Sequence, residues 1–336
     1  MKIQNISIVF KGMLLICFIL GFSNGIIAQT LFEDSSGESA IYLNDGPEAW
    51  VKFSSSSSSV TIGFNKKRKQ GHDGGYGDEQ DDKATNFLLG ANLSVTTDEG
   101  IGTVFSNEKV ASGVGGNFLI GAQSTKWFNT DKNRNNSFGS IYLSLGLDNS
   151  QFKTIDTLSF QEVKRTELLH NVSLNFNARF NDPYYDNENV EQERYFYVGV
   201  AIGNRRLSNL KSLDKRVLER IIRTDGTNQI ISQIEGRAGD LMLKSTPYVF
   251  IDLGILPRLF QTQQVGFNAY YRQDFSSFKN INNMGFGLFF LKPDNPVGVV
   301  GGIAMQFNDI NNALESEDSF GERSSVFFYV GYNFGK

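Results

Sequence analysis

Between Ser325 and Gly335 the chain alternates without a break. Val326, Phe328, Val330, Tyr332 and Phe334 share one side of an extended strand, and Phe327, Tyr329, Gly331 and Asn333 share the other. The period of two excludes an amphipathic helix, whose faces recur every three to four residues. The first face stays apolar and aromatic up to the chain terminus, where most domains fray into water. A fold that ends this way must give that face an apolar environment at the last residues, with only Lys336 beyond.

The same alternation returns along the chain. Asn86–Thr97 sets Phe87, Leu89, Ala91, Leu93 and Val95 against Asn86, Gly90, Asn92, Ser94 and Thr96. Leu168–Phe180 sets Val172, Leu174, Phe176, Ala178 and Phe180 against Asn171, Ser173, Asn175, Asn177 and Arg179. Val114–Thr125, Phe138–Asp148, Arg194–Asn204, Thr246–Leu256, Val265–Asp274, Met284–Leu291, Val297–Phe307 and Val326–Phe334 follow the rule. Ala49–Ser55 and Ser58–Lys66 follow it more weakly, across the serine run Ser54–Ser59. The expectation is an all-β, antiparallel fold of about twelve strands, each with one apolar face.

On these residues the chain resembles bacterial outer-membrane β-barrel proteins, and Val326–Phe334 resembles their C-terminal assembly strand. The usual pattern ends on the aromatic itself, whereas Gly335 and Lys336 follow Phe334 here. The resemblance covers nearly the whole mature chain and is one of architecture, without a subfamily motif. It implies a transmembrane barrel in the bacterial outer membrane, in contact with its lipids and lipopolysaccharide. It also implies recognition by the barrel-assembly machinery through the last strand. The Phe-, Asn- and Ser-rich composition, with a leader ending Ala28-Gln29, resembles barrels of the Bacteroidota.

The N-terminus agrees with an exported protein. Lys2 and Lys11 give a positive start, Met13–Leu20 is apolar, and small residues precede Gln29, so cleavage is expected near Ala28. Ile16 before Cys17 is too bulky for a lipid-attachment box. Loss of the leader removes Cys17, the one cysteine, and with it any disulfide or thiolate metal site. The expected organisation is a signal peptide over 1–28, an N-terminal segment over 29–48 and the barrel over 49–336. Mean hydropathy is -0.26, too low for a helical membrane protein, while alternation hides a barrel from averaging. The 29 Phe, 12 Tyr and 34 Gly suit aromatic girdles and crowded curved strands. The net charge of -4 falls further without Lys2 and Lys11, which argues against nucleic acid as a partner.

Strand pairing predicts which residues meet. A symmetric hairpin at Pro293-Asp294 sets Phe290 opposite Val297 and Leu288 opposite Val299. One centred near Leu259–Gln261 sets Ile251 opposite Ala269, Leu253 opposite Phe267, Asp252 opposite Asn268 and Tyr248 opposite Arg272. With the C-terminus in the periplasm, Asn149–Thr166, Arg205–Lys244, Phe275–Asn283 and Asn308–Arg323 become external loops. Lys67–Thr85 becomes an unusually long periplasmic turn.

The polar faces supply Lys52, Asp148, Arg179, Asp252, Arg272 and Asp274 as lumen or selectivity candidates. Such charges either select permeant solutes or pair with one another and fill a modest interior. In the longest insertion, Leu207, Leu210, Leu213, Val217 and Ile221 recur at helical spacing and predict one short helix. Lys211, Lys215, Arg216, Arg220 and Arg223 on its other face are candidates for binding lipopolysaccharide phosphates or an envelope protein. The alternative is a helix that simply caps the barrel.

No cofactor or metal site is expected. Asp131, Asn133 and Asn135 begin like a calcium loop, but Asn136 and Tyr142 stand where glycine and glutamate are needed. Asp78–Asp82 reads as a solvated acidic loop. The mature chain has two histidines. His72 lies in a Gly-rich stretch, and His170 shares the face of Val172 and Leu174 while Ser173 points the other way. No serine reads on the outward face of the neighbouring strands, so a Ser–His enzyme is not expected. Two functions stand: a passive, porin-like channel or transport protein of unknown substrate, and a structural or assembly component of an outer-membrane secretion or surface complex with a closed lumen. The inward parity of Tyr195, Tyr197, Tyr248, Phe250 and Tyr270 counts against a wide pore.

Overall fold

The chain was analysed as a computed structural model. It describes residues 30–33, 39–42, 49–54, 59–69, 85–96, 113–124, 138–156, 158–159, 161–185, 191–225, 228–256, 264–276, 279–292, 295–314, 319–321 and 323–332, with side chains for most of them. The elements are β1 Thr30–Glu33, β2 Ser39–Tyr42, β3 Ala49–Ser54, β4 Ser59–Lys69, β5 Thr85–Thr96, β6 Gly113–Ser124, β7 Phe138–Asp156 and β8 Gln161–Tyr185. They continue with β9 Glu191–Ser208, β10 Asp214–Asp225, β11 Asn228–Ala238, β12 Leu243–Leu256, β13 Gln264–Phe275, β14 Asn280–Lys292, β15 Asn295–Phe307 and β16 Ser324–Tyr332.

β1 and β2 pair with each other in a separate small hairpin. The other fourteen form one sheet. β3 joins β16 and β7 joins β8, so β3–β9 and β12–β16 close into an antiparallel ring of twelve strands, with β10 and β11 branching from it. Closure removes the sheet edges that a curled open sheet would expose.

The register fixes the shape. A path across the ladders runs from Ser150 through Gly113, Thr96, Ser59, Ser54, Phe327, Ala304, Gly287, Asn268, Gly254, Tyr197 and Arg179. It comes back to β7 at Phe138, twelve residues before its start. Twelve strands with a shear of twelve tilt by about 35°, and the backbone wall is about 20 Å across.

The two faces are the reverse of a soluble core. Leu93, Phe118, Leu145, Phe176, Ile202, Leu253, Phe267, Phe286, Ile303 and Phe328 stand one per strand on the exterior, and all are exposed; Ile202 and Leu93 are each 57% exposed. The interior positions between them carry Ser94, Asn117, Ser144, Asn175, Asp252, Arg272 and Gln306, all buried.

All twelve expected strands are present, and several are longer than their apolar stretch. β8 has 25 residues against six in β3. Asn149–Thr166, expected as a loop, is mostly the upper part of the β7–β8 hairpin.

The expected helix does not form. Leu210–Ser212 makes a single 3-10 turn, and the residues that follow are the β10–β11 hairpin. Val217, Ile221, Ile222 and Thr224 are β-branched, and Asp225-Gly226 is a strong hairpin signal. Pairing of Leu218 with Ile234 and Ile221 with Ile231 outweighs the helical spacing.

Two expected registers are also corrected. Ile251 pairs with Tyr271 and Tyr248 with Asp274, two residues from the expected partners. Leu288 pairs with Ile303 and Phe290 with Gly301, four residues away, because β-bulges at Phe290–Lys292 put extra residues into β15. Both slips are even, so every side chain keeps its face. The connection at Pro293-Asp294 is two residues long, flanked by the pair Lys292 and Asn295. The signal segment, His72, Asp78–Asp82 and Asp131–Asn135 lie outside the described residues.

Candidate functional site: the lumen latch and the β10–β11 arm

The loop end of the barrel concentrates its charge. β9 climbs with Gly199, Ala201, Gly203 and Arg205 pointing inward, and β13 climbs beside β12 with Asn268, Tyr270, Arg272 and Asp274 inward. The tops of these strands bring three charges together. Arg205 donates from Nε and Nη2 to the two Asp274 oxygens at 2.8 and 2.7 Å, a bidentate pair. Arg272 Nε donates to Asp274 Oδ2 at 3.3 Å, and Asn283 Nδ2 donates to the same oxygen at 2.9 Å. Asp274 is 0% exposed and Arg272 1%. The carboxylate thus accepts from three side chains in a site without water contact, the condition under which a buried ion pair is held in place rather than screened.

The network continues into the β15–β16 loop. The Asp309 backbone N–H donates to Asn283 Oδ1 at 2.9 Å. Its carboxylate accepts from the N–H groups of Ala313 and Leu314 at 2.7 and 3.0 Å. Asp309 and Asn312 take left-handed backbone, φ 49° and 46°, which Asp and Asn tolerate. Arg323 Nη1 donates to the Asp309 carbonyl, and Phe320 stacks on Phe307 at 5.2 Å. Ile310 N–H bonds the Asn282 carbonyl at 2.8 Å. The loop is therefore latched to the inner wall through Asn283 and to the β14 backbone through Asn282.

The adjoining wall, β5–β8, is built mostly from amides and hydroxyls. Ser144 Oγ donates to Asn117 Oδ1 at 3.1 Å, and Asn175 Nδ2 donates to Ser173 Oγ at 2.9 Å. Asp148, near the top of that wall, accepts from Ser150 Oγ at 2.6 Å. Tyr248 joins the two walls by donating its hydroxyl to Asn171 Oδ1 at 2.9 Å. Its ring lies over Gly203 on the adjacent strand, where a Cβ would come within 2.5 Å of Tyr248 Cζ. Tyr270 lies over Gly285 in the same way. The tyrosines therefore lean along the wall onto backbone that only glycine leaves bare.

Of the sequence candidates, Arg272 and Asp274 meet. Asp252 sits lower, 1% exposed, and accepts from Asn268 Nδ2. Asp148 belongs to the other wall. Lys52 lies in β3 and Arg179 in β8, but their side chains are outside those described. Arg205, Asn283, Asp309 and Arg323 were missed. Arg205 and Asn283 each lie one residue past an expected strand end, where continued period-two parity points them inward.

On the exterior, His170 Nε2 meets Asn204 Oδ1 at 3.4 Å, and Ser245 Oγ donates to that same oxygen. Ser245 stands on the outward face of β12, a serine that parity reading had not placed there. Asn204 separates it from the imidazole, so the histidine meets an amide and not a hydroxyl.

The five basic candidates of the insertion do not share a helix face. Lys211 is in the 3-10 turn, while Lys215 and Arg216 are consecutive in β10 and leave on opposite sides. Arg220 and Arg223 lie further along β10. Arg216 pairs with Asp214 at 3.3 Å across solvent. The base of the hairpin is tied down. Asn209 accepts from Met242 N–H at 2.7 Å and donates from Nδ2 to the Asp240 carbonyl at 3.1 Å. Arg237 Nη1 donates to the carbonyls of Lys211 and Leu213, both at 3.0 Å.

No protein-family model matches the chain, and no curated protein does. Among solved structures, the chain is similar to the β domain of the Bordetella autotransporter Brka. The two share 10% identity over 86% of this chain and 99% of that one, with a TM-score of 0.37. Likeness at that level carries no argument about function.

Proposed function

We propose that the chain is an outer-membrane β-barrel with a closed, hydrogen-bonded lumen, acting as a structural or assembly component of a surface complex. The membrane reading is supported by the inverted faces. A continuous belt of exposed Leu, Ile, Val and Phe around a closed ring would be a large apolar patch in water and is a normal surface in lipid. The single observation that favours a closed lumen over a channel is the burial of Asp274 and Arg272 in a network where Asp274 accepts from Arg205, Arg272 and Asn283. Selectivity charges face water and exchange it with the permeant ion, whereas these two are spent on each other and on the loop above. The leader ending near Ala28 and delivery by the barrel-assembly machinery through β16 belong to the same reading.

Single-channel recording in a planar bilayer tests it. The refolded, inserted protein is expected to give no steady conductance, and Asp274→Ala, which frees the loop latch, is expected to give intermittent openings. Discrete, long-lived steps from the unmodified protein would overturn the closed-lumen reading and restore the channel.

A further inference from the structure

We propose that the β10–β11 arm docks on the phosphate-bearing lipid headgroups of the membrane face at the loop end of the barrel. This rests on the outer-membrane reading above.

The direction of the arm comes from strand polarity. β11 pairs with β7 in parallel, through Arg237 with Thr154 and Ala238 with Ile155. β7 climbs toward the loop end, so β11 climbs with it, and the pair Asp225 and Asn228 lies on the barrel side of the arm's base. The arm therefore folds back toward the apolar belt instead of reaching away from it.

Its length suffices. The base stands at Ile155, eight residues above Leu147, the last exposed apolar residue on the outer face of β7, or about 26 Å at the usual rise. β10 has 12 residues, about 40 Å. Asn209 and Arg237 anchor the base, so this direction is held. Lys215, Arg216, Val217 and Glu219 are all exposed, so β10 is the solvent side of the upper arm, while Gly236 of β11 lies over Ile155 of β7.

The chemistry suits an anionic interface. Over the whole arm, Asp214–Ala238, five cations face four acids, but Asp214, Glu219 and Glu235 lie in the base half with Lys215, Arg216 and Arg237, so the outer half keeps Arg220 and Arg223 against Asp225 alone. Toward the tip, register sets Ile221 opposite Ile231 and Arg223 opposite Ile230. Arginine beside aliphatic residues is the composition that partitions to headgroups, and cations near an anionic surface are attracted within a Debye length.

The test uses the full chain in vesicles of phosphatidylcholine with and without phosphatidylglycerol. Flotation and heat-shifted gel migration first report insertion. Trypsin cleavage after Arg220 and Arg223 is expected to slow about tenfold in the anionic vesicles. About 0.5 M salt should return it toward the neutral rate. Because those arginines are themselves the cleavage sites, a second readout is needed. A dye on Thr227→Cys, in a Cys17→Ser background, should shift to the blue only in anionic vesicles and lose that shift in Arg220→Gln/Arg223→Gln. Equal cleavage and equal emission in both vesicles would overturn the docking. Protein that fails to float at all would overturn the membrane reading, and the docking with it.

Discussion

The two walls of the lumen are made of different chemistry. The β5–β8 wall is mostly amides and hydroxyls, Asn92, Ser94, Asn117, Ser144, Ser173 and Asn175, with one described acid, Asp148, held by Ser150. The β9 and β12–β14 wall carries Arg205, Arg272, Asp252 and Asp274, and it reaches into the β15–β16 loop, through Asn283 and Asp309. Neutral pairs can be lost singly, because each partner retains other hydrogen-bonding choices. A buried carboxylate shared by two guanidiniums cannot, because its removal strands two like charges without water. One wall packs the interior, while the other fixes what lies over its mouth.

That contrast can be broken by substitution. Asp274→Ala should have the largest effect, destabilising by about 3–5 kcal/mol in denaturant unfolding of the folded barrel. If it costs no more than a neutral change, the network is not a latch. Gly203→Ala, at the join between the walls, puts a methyl into the Tyr248 ring and should cost about 1–3 kcal/mol. Tyr248→Ala in the same chain should recover part of that loss, and its failure to do so would place the strain elsewhere. Ser144→Ala on the neutral wall should cost about 1 kcal/mol or less. A loss as large as that at Asp274 would erase the distinction between the walls.

The smallest effect lies outside both walls, at the β7–β8 tip. Asp156 accepts from Ser159 Oγ at 2.6 Å and from Leu158 N–H at 2.9 Å. These bonds hold its carboxyl below the ordinary range. A depressed folded pKa contributes order above the ordinary carboxylate pKa, and that order is lost as pH falls through the depressed value. Protection of the Leu158 amide, its exchange set against the intrinsic rate at the same pH, should therefore fall only under acid conditions more extreme than those that titrate a free aspartate. Loss of protection at or above the ordinary carboxylate pKa would contradict it.

The barrel was legible because the alternation of an apolar outer face with a polar inner one runs through its strands, as in Val172, Leu174 and Phe176 against Ser173 and Asn175. Face assignment tolerated register errors of two and four residues, since only odd slips change sides. Register itself was not legible: bulges in β15 leave no period-two signature. The latch was half legible. Arg272 and Asp274 lie inside an alternating strand, whereas Arg205 and Asn283 lie just beyond one, and Asp309 acts through backbone in a loop. The arm was misread because Leu213, Val217 and Ile221 fit a helical spacing, while the cross-strand partners that decide the matter lie ten to eighteen residues downstream.

Both ends of the arm meet at one residue. Asn209 grips Asp240 and Met242 across the neck, so the barrel below is already closed without anything between them. Such a neck makes the insertion a module. It can lengthen, change sequence or be exchanged for another hairpin while the wall that carries it stays the same.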